Sequence, residues 1–331
     1  MTAESRRNRG FGHPAKDLTP DRGIGPGDPY AGARYPWNIG RRSVHWARVW
    51  SRLVDLTILV GEWLLDRSDR LVVRASRVGD VPIFDLQTVG AEVFPWHRTL
   101  EPHWGTIRGE LDHLLEHREA LANFQDISTD QATITDDDGW KTYFLYGFGF
   151  RAEANCERCP ETARLVASVP GMRTAMFSIL APGKHIPEHR GPYKGVVRYH
   201  LGVKVPRDRD RCRIRIGDQH AAWAEGESLF FDDTYEHEVW NDTDEERVVL
   251  FLDVVRPMRF PMNVLNAVIL RLIAISPFVT DAKRRHREWE RAFASTLAAA
   301  SPAPPASARA APRATESAPR LGATSRSSFG E

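Results

Sequence analysis

Cysteine is scarce in this chain: Cys156, Cys159 and Cys212 are too few for a disulfide framework. Cys156 and Cys159 form a C-x-x-C. No second pair or histidines at ribbon spacing point to zinc, and no βαβ context points to a thioredoxin-like site. CERCPETARLVASVP therefore reads as an ordinary helix with Pro160 near its first turn. Charge of one sign is lacking too, since 45 Lys and Arg stand against 44 Asp and Glu. That balance gives no reason to expect nucleic acid as a partner. No stretch reaches the roughly twenty mostly uncharged apolar residues of a membrane span. The basic start leads into no apolar core of a signal peptide, so the expected location is the cytoplasm. There is no internal repeat.

The two ends are low in apolar periodicity. Residues 1–40 scatter Arg, Gly and Pro (RRNRGFGHPAK, RGIGPGDPYAGARYP), and from 297 the chain is rich in Ala, Pro and Ser; both read as disordered. Between them we assign a helical extension over 41–95, a barrel domain over 96–260 and C-terminal helices over 261–296. In the extension, Trp46, Val49, Trp50, Leu53, Leu56, Leu59 and Trp63 recur at helical spacing, broken by Arg48, Arg52, Asp55 and Glu62. This is either a helix packed on the domain or one lying in a membrane interface. VPIFDL suggests a short strand, and the stretch from about Leu100 to His117 an amphipathic helix. His97, His103, His113 and His117 there lack a matching carboxylate pattern and read as surface or packing residues.

What is abundant is strand signal. DDDGWKTYFLYGFGF reads as a strand pair. RTAMFSILAPG, HIPEHRGP, VVRYHLGVKVP, RCRIRIGDQHAAW, ESLFFDDTYEHEVW and RVVLFLDVV follow at ten- to fifteen-residue intervals, with Gly and Pro at the turns. The expected fold is a mainly β core with flanking α-helices, a double-stranded β-helix (jelly roll, cupin-like). Trp223 and Gly226 in WAEGE fit a tight turn and are read as structural.

Strand parity then isolates chemistry. In VVRYHLGV, Arg198 and His200 share one face, while Val197, Tyr199, Leu201 and Val203 share the other. RVVLFLDVV reads as a strand buried on both sides, with Arg247 at its mouth. A guanidinium there needs an anionic partner, and its planar fork suits a carboxylate. Asn241-Asp242-Thr243-Asp244 is a turn signal, so a hairpin is expected to fold Arg247 back toward His237, ten residues earlier. His189 and His237 are candidate metal ligands.

Four blocks, MFSILAPGKHIPEHRGP, VRYHLGVKVP, WAEGESLFFDDTYEHEVWND and ERVVLFLDVVRP, resemble in order and spacing the aspartyl/asparaginyl β-hydroxylase family of Fe(II) and 2-oxoglutarate-dependent dioxygenases, which includes bacterial lipid A hydroxylases. The resemblance covers about 138–257. It implies that His189 and His237 bind iron and are the catalytic centre. It implies further that Arg247 and Ser178 hold the distal carboxylate of 2-oxoglutarate, and that Arg198 with His200 meets the ketoacid end. The implied reaction couples O2 and oxidative decarboxylation of 2-oxoglutarate, giving succinate and CO2, to hydroxylation of an unactivated C–H bond. Trp240 is expected beside the iron.

One position departs from the wider pattern. Such enzymes usually complete two histidines with a carboxylate two residues after the first, and here that residue is Gly191. Water is the first choice for the third ligand, with Glu188, Asp232 and Asp233 nearby. The peptide hydroxylases tolerate glycine there and the lipid A hydroxylases carry aspartate. Gly191 thus leans toward an Asp or Asn side chain in a peptide or protein as substrate. The flanking amphipathic helices favour the alternative, a lipid acyl chain or small molecule. MNVLNAVILRLIAISPFV, followed by DAKRRHREWERAFAS, reads either as a cover for the barrel or as an interfacial helix aided by Lys283, Arg284, Arg285 and Arg287, giving peripheral membrane contact. A third reading is a catalytically silent barrel that binds metal or a carboxylate ligand.

Overall fold

Alternation along each strand builds two antiparallel sheets. A computed structural model describes residues 69–87, 91–128 and 134–300. Twelve strands are present among them: β1 (Ile83–Phe84), β2 (Ala122–Asn123), β3 (Trp140–Gly147), β4 (Phe150–Arg151), β5 (Met172–Leu180), β6 (His185–His189), β7 (Val196–Lys204), β8 (Cys212–Ile216), β9 (Gln219–Ala222), β10 (Ser228–Phe231), β11 (His237–Asn241) and β12 (Arg247–Val255). The larger sheet runs β1-β10-β7-β12-β5-β3-β2, with β4 paired to β3, and the smaller runs β6-β11-β8-β9. All pairings are antiparallel and the chain alternates between the sheets, which is the jelly-roll architecture. The expected readings of 1–40 and 43–66, and of the tail from 301, lie outside the described residues; residues 297–300, read as the start of that disordered tail, instead continue the last helix, as their alanines favour. β1 falls inside the stretch assigned to the helical extension, where it pairs with β10.

The larger sheet is buried on both faces, which explains the unbroken apolar run of β12. Val248, Leu250, Leu252 and Val254 of β12 pack with Val197, Tyr199 and Leu201 of β7 and with Phe177 and Ile179 of β5. Against them lie α1 (Trp104–Leu115), through Ile107 and Leu111, and α3 (Pro160–Ala167), through Leu165 and Val166. On the opposite face Val249 and Phe251 meet Met176, Phe231 and the smaller sheet's Ile186, Ile214, Ile216 and Val239. The C-x-x-C contributes structure only: Cys156 ends its side chain on the Leu145 carbonyl in α2 (Glu153–Arg158), Pro160 opens α3, and all three cysteines are buried and free.

The expected hairpin between His237 and Arg247 is not formed. β11 belongs to the smaller sheet and β12 to the larger, so residues 242–246 are a corner that switches sheets. A polar Asn-Asp-Thr-Asp sequence suits either geometry. Asn241 settles the corner, because its buried side-chain amide donates to the carbonyls of Ala181 and Glu245.

Two helices close the described chain, α4 (Met262–Ala274) and α5 (Pro277–Ala300). Trp289 and Phe293 of α5 stack at 5.0 Å and cover the edge of the core. His286, fully buried there, has its pKa pushed down to about 4 by burial. The unfolded chain then binds the proton more readily than the folded one. His286 therefore costs no stability above the ordinary histidine pKa, and costs progressively more as pH falls from there through about 4. Urea titrations at pH 7 and pH 4 should show His286→Gln losing less stability on acidification than the parent, by up to about 3 kcal/mol. Equal losses would sink this assignment.

Candidate active site

The fold brings the predicted residues from both sheets to one pocket. Ser178, Arg198, His200 and Arg247 project from β5, β7 and β12 on the inner face of the larger sheet, and His189 and His237 from β6 and β11 of the smaller one. Trp140, Phe231, Val239 and Phe251 supply the apolar walls.

His189 and His237 are direct partners across β6 and β11, with ring centroids 4.1 Å apart. Each Nδ1 lies against the carbonyl two residues earlier, Pro187 at 2.8 Å and Tyr235 at 3.0 Å. A carbonyl can only accept, so each Nδ1 carries the proton and each Nε2 keeps its lone pair. Burial lowers both pKa values, helped at His237 by the neighbouring His189 and at both by Arg198. Two neutral imidazoles with fixed tautomers form a ready metal-ligand pair.

Arg247 is 2 % exposed and stacks over Trp223 at 4.6 Å. Its Nη1 makes a long contact to the Ser178 carbonyl, 3.4 Å, the neutral Cys212 thiol is its other polar neighbour, and its Nε has no partner. Burial drags its pKa down to about 10, and no carboxylate among the described residues offsets that. A buried cation without an anion is costly. Beside it, Trp140 donates to Ser178 Oγ at 3.0 Å, which leaves the hydroxyl hydrogen of Ser178 for another acceptor. Trp223 likewise donates to His200 Nδ1 at 3.3 Å, so His200 carries its proton on Nε2, where it finds no protein acceptor. Burial, then the charge of Arg247, holds His200 well below the ordinary histidine pKa. The end of the pocket at Arg247 thus offers donors and a positive charge, and lacks an acceptor.

Arg198 is placed as parity predicts, yet its charge is already matched. Asp253, opposite it across β12, accepts from Nε at 3.2 Å, and Asp233 takes Nη2 at 2.8 Å. Of the three acids near the histidines, Glu188 points to Arg215 at 2.5 Å, and Asp232 is held by Arg256 at 2.5 Å and Lys194 at 2.9 Å. Asp233 alone of them lines the pocket with an unpartnered oxygen, Oδ1, and burial raises its pKa to about 6 against the opposing pull of Arg198. Among the described residues, no three His, Cys, Asp or Glu side chains cluster to hold a metal. Among the described residues, the two histidines are the pair whose lone pairs could hold a metal.

Gly191 is explained by Asp233. A Cβ at 191 would overlap the Asp233 carboxylate, whose backbone carbonyl accepts from Gly191 N at 2.7 Å. The space usually given to an acid two residues after the first histidine is filled from β11's approach loop instead. Gly191→Ala should push Asp233 off Arg198 and cost about 1–3 kcal/mol of stability. In an Asp233→Gly background the same change should cost much less, as a double-mutant cycle by urea denaturation would read. Additive losses would refute the packing.

One tryptophan lies away from where the sequence places it. Trp240 faces away from the pocket, stacking on His185 at 5.6 Å and under Arg213, because strand parity sets it opposite His237 and Val239. Trp223 is structural, as the sequence suggests, and the support it gives is to Arg247 and His200. Nothing local marks it; only its place after the β8–β9 hairpin brings it under β12. Trp140 was missed for the same reason.

The jelly roll thus gathers a histidine pair and an arginine with no acid partner among the described residues, and sequence comparison places the chain among hydroxylases. Residues 101–257 match the aspartyl/asparaginyl beta-hydroxylase family. The chain is 45 % identical over 226 residues to an ornithine lipid ester-linked acyl 2-hydroxylase of Rhizobium tropici, covering 68 % of this chain and 79 % of that one. It is 32 % identical over 171 residues to the human aspartyl/asparaginyl beta-hydroxylase, covering 50 % of this chain and 22 % of the human protein. A solved cupin domain of an Enterobacter cloacae regulator overlays 36 % of this chain and 99 % of that chain at 13 % identity and TM-score 0.26. The chain belongs to the aspartyl/asparaginyl β-hydroxylase family.

Proposed function

We propose that the protein is an Fe(II) and 2-oxoglutarate-dependent hydroxylase that inserts oxygen at the carbon next to the carbonyl of a lipid acyl chain. The observation that carries the cofactor assignment is Arg247, a buried cation whose missing partner is an anion. A dicarboxylic 2-oxoacid fits this chemistry: Arg247 and the free Ser178 hydroxyl would hold a carboxylate of it. His189 and His237 would hold the metal through Nε2. When bound, Fe(II) with 2-oxoglutarate and O2 supplies the oxidising power that no side chain has. The chain's own part is to keep both imidazoles neutral, to orient them through the Pro187 and Tyr235 carbonyls, and to exclude water with Trp140, Phe231 and Phe251. Asp233, with its unshared Oδ1, and His200 Nε2–H offer an acceptor and a donor inside the pocket. The cytoplasm, which provides reduced iron and 2-oxoglutarate, is the compartment this reading requires.

The acyl substrate rests on the Rhizobium relative, which is matched over most of its length, whereas the human peptide hydroxylase is matched over about a fifth of its own. That outweighs the lean that Gly191 alone gives toward an Asp or Asn side chain, which stands as the second reading. The decisive assay is succinate formation from 2-oxoglutarate with Fe(II) and ascorbate, run beside His237→Ala. Addition of an ester-linked acyl amino lipid should raise turnover and yield the 2-hydroxy product. Stimulation by an Asp- or Asn-bearing peptide alone would install the second reading. Absence of 2-oxoglutarate binding and of succinate would leave the silent barrel.

A further inference from the structure

The helix after the barrel carries an apolar face that the described residues leave exposed. In α4, Asn266 and Leu270 point inward, while Val264 (53 % exposed), Leu265, Val268 and Leu272 (58 %) stand in solvent, continued by Phe260 (81 %) before the helix and Ile275 (74 %) after it. Along a helix of 3.6 residues per turn, positions 264, 265, 268, 272 and 275 fall within about a third of the circumference. Single exposed apolar residues need no explanation, but five on one face, with Phe260 exposed just before it, do.

The surroundings are cationic. Arg271 is exposed at the edge of this face, Arg259 precedes Phe260, and exposed Arg77 is tied to the same corner by its backbone N–H to the Pro257 carbonyl. An apolar strip rimmed by arginines matches an anionic bilayer, where apolar side chains enter the acyl boundary and arginines meet phosphate. No single described helix is long and apolar enough to cross a membrane, although the bent pair of α4 and α5 meets that test together by length and composition; the inner side of α4 is engaged by the barrel through Asn266 and Leu270, which leaves its outer face for a surface contact.

This face is also coupled to the pocket. Asn266, on the inner side of α4, donates to the Gly195 carbonyl at 2.9 Å and accepts from Tyr193 Oη at 2.7 Å. The segment it holds, 190–195, begins with Arg190, Gly191 and Pro192, which line the pocket mouth. We propose that the exposed face of α4, with Phe260 and Ile275, docks the protein on an anionic bilayer and presents the mouth at residues 190–192 to that surface. The proposal goes beyond the hydroxylase reading and does not depend on it.

The test uses the full chain and sedimentation with phosphatidylcholine vesicles, with or without phosphatidylglycerol. The wild type should bind the anionic vesicles, and the double variant Val264→Asp, Val268→Asp should bind about tenfold less or weaker, with unchanged melting temperature and 2-oxoglutarate affinity. Because all three native cysteines are buried, Val268→Cys can be labelled selectively with an environment-sensitive fluorophore. Its emission should shift to the blue on anionic vesicles, which reads this face even if another segment also binds lipid. Overturning results are a wild type that ignores anionic vesicles, an unchanged label, a label already shielded before vesicles are added because another segment or a second copy covers it, or a variant that binds like wild type. Vesicle binding requires neither iron nor 2-oxoglutarate, so its failure and that of the hydroxylase reading are told apart.

Discussion

Arg247→Gln should weaken 2-oxoglutarate binding by on the order of a hundredfold or more, since a charge-assisted, two-pronged contact to a carboxylate is worth about 3 kcal/mol in a buried site. Calorimetric titration of the metal-loaded protein would measure it. The protein itself should lose little stability and could gain some, because the variant removes a buried guanidinium that has no anionic protein partner among the described residues. That pairing of outcomes is diagnostic. Arg198→Gln should do the reverse: it would strand Asp233 and Asp253 inside the barrel and cost stability on the order of 3 kcal/mol. If Arg247→Gln bound 2-oxoglutarate as the parent does, the anion site would lie elsewhere.

His189→Ala and His237→Ala should each abolish stoichiometric binding of Fe(II), or of Mn(II) as its stand-in. If these two histidines are the protein's ligands, as proposed, losing one removes half of the set, and a fall in metal affinity of well over a hundredfold is expected. Elemental analysis after desalting reads it directly. His200→Ala should retain the metal, because His200 is set back beside Arg247 with Nδ1 engaged by Trp223. His185→Ala should retain it too, since that ring is exposed, stacked on Trp240 and paired with Glu238 at 2.7 Å. Metal retained in both His189→Ala and His237→Ala would refute the centre proposed here.

The sequence by itself determined which faces the strands would show. A period of two places Arg198 and His200 on one side of β7, and Arg247 in line with Val249 and Phe251 of β12, whatever the partner strands are. It also determined the jelly roll, because short strands between Gly and Pro turns with one doubly buried run leave few other ways to hide their apolar faces. Pairing between sheets was beyond it. A polar turn such as 241–244 can close a hairpin or carry the chain across, and only burial of the Asn241 amide among carbonyls of two segments selects the crossing. The partners of charges were equally hidden: Arg198 and Arg247 look alike along the chain, yet Asp233 and Asp253 reach one and no acid among the described residues reaches the other. Trp223, distant in sequence from both His200 and Arg247, lies under them only because β8 and β9 return the chain to the larger sheet. Periodicity is a property of the backbone and can be read locally, whereas the matching of a buried charge is a sum over neighbours that only the closed barrel assembles.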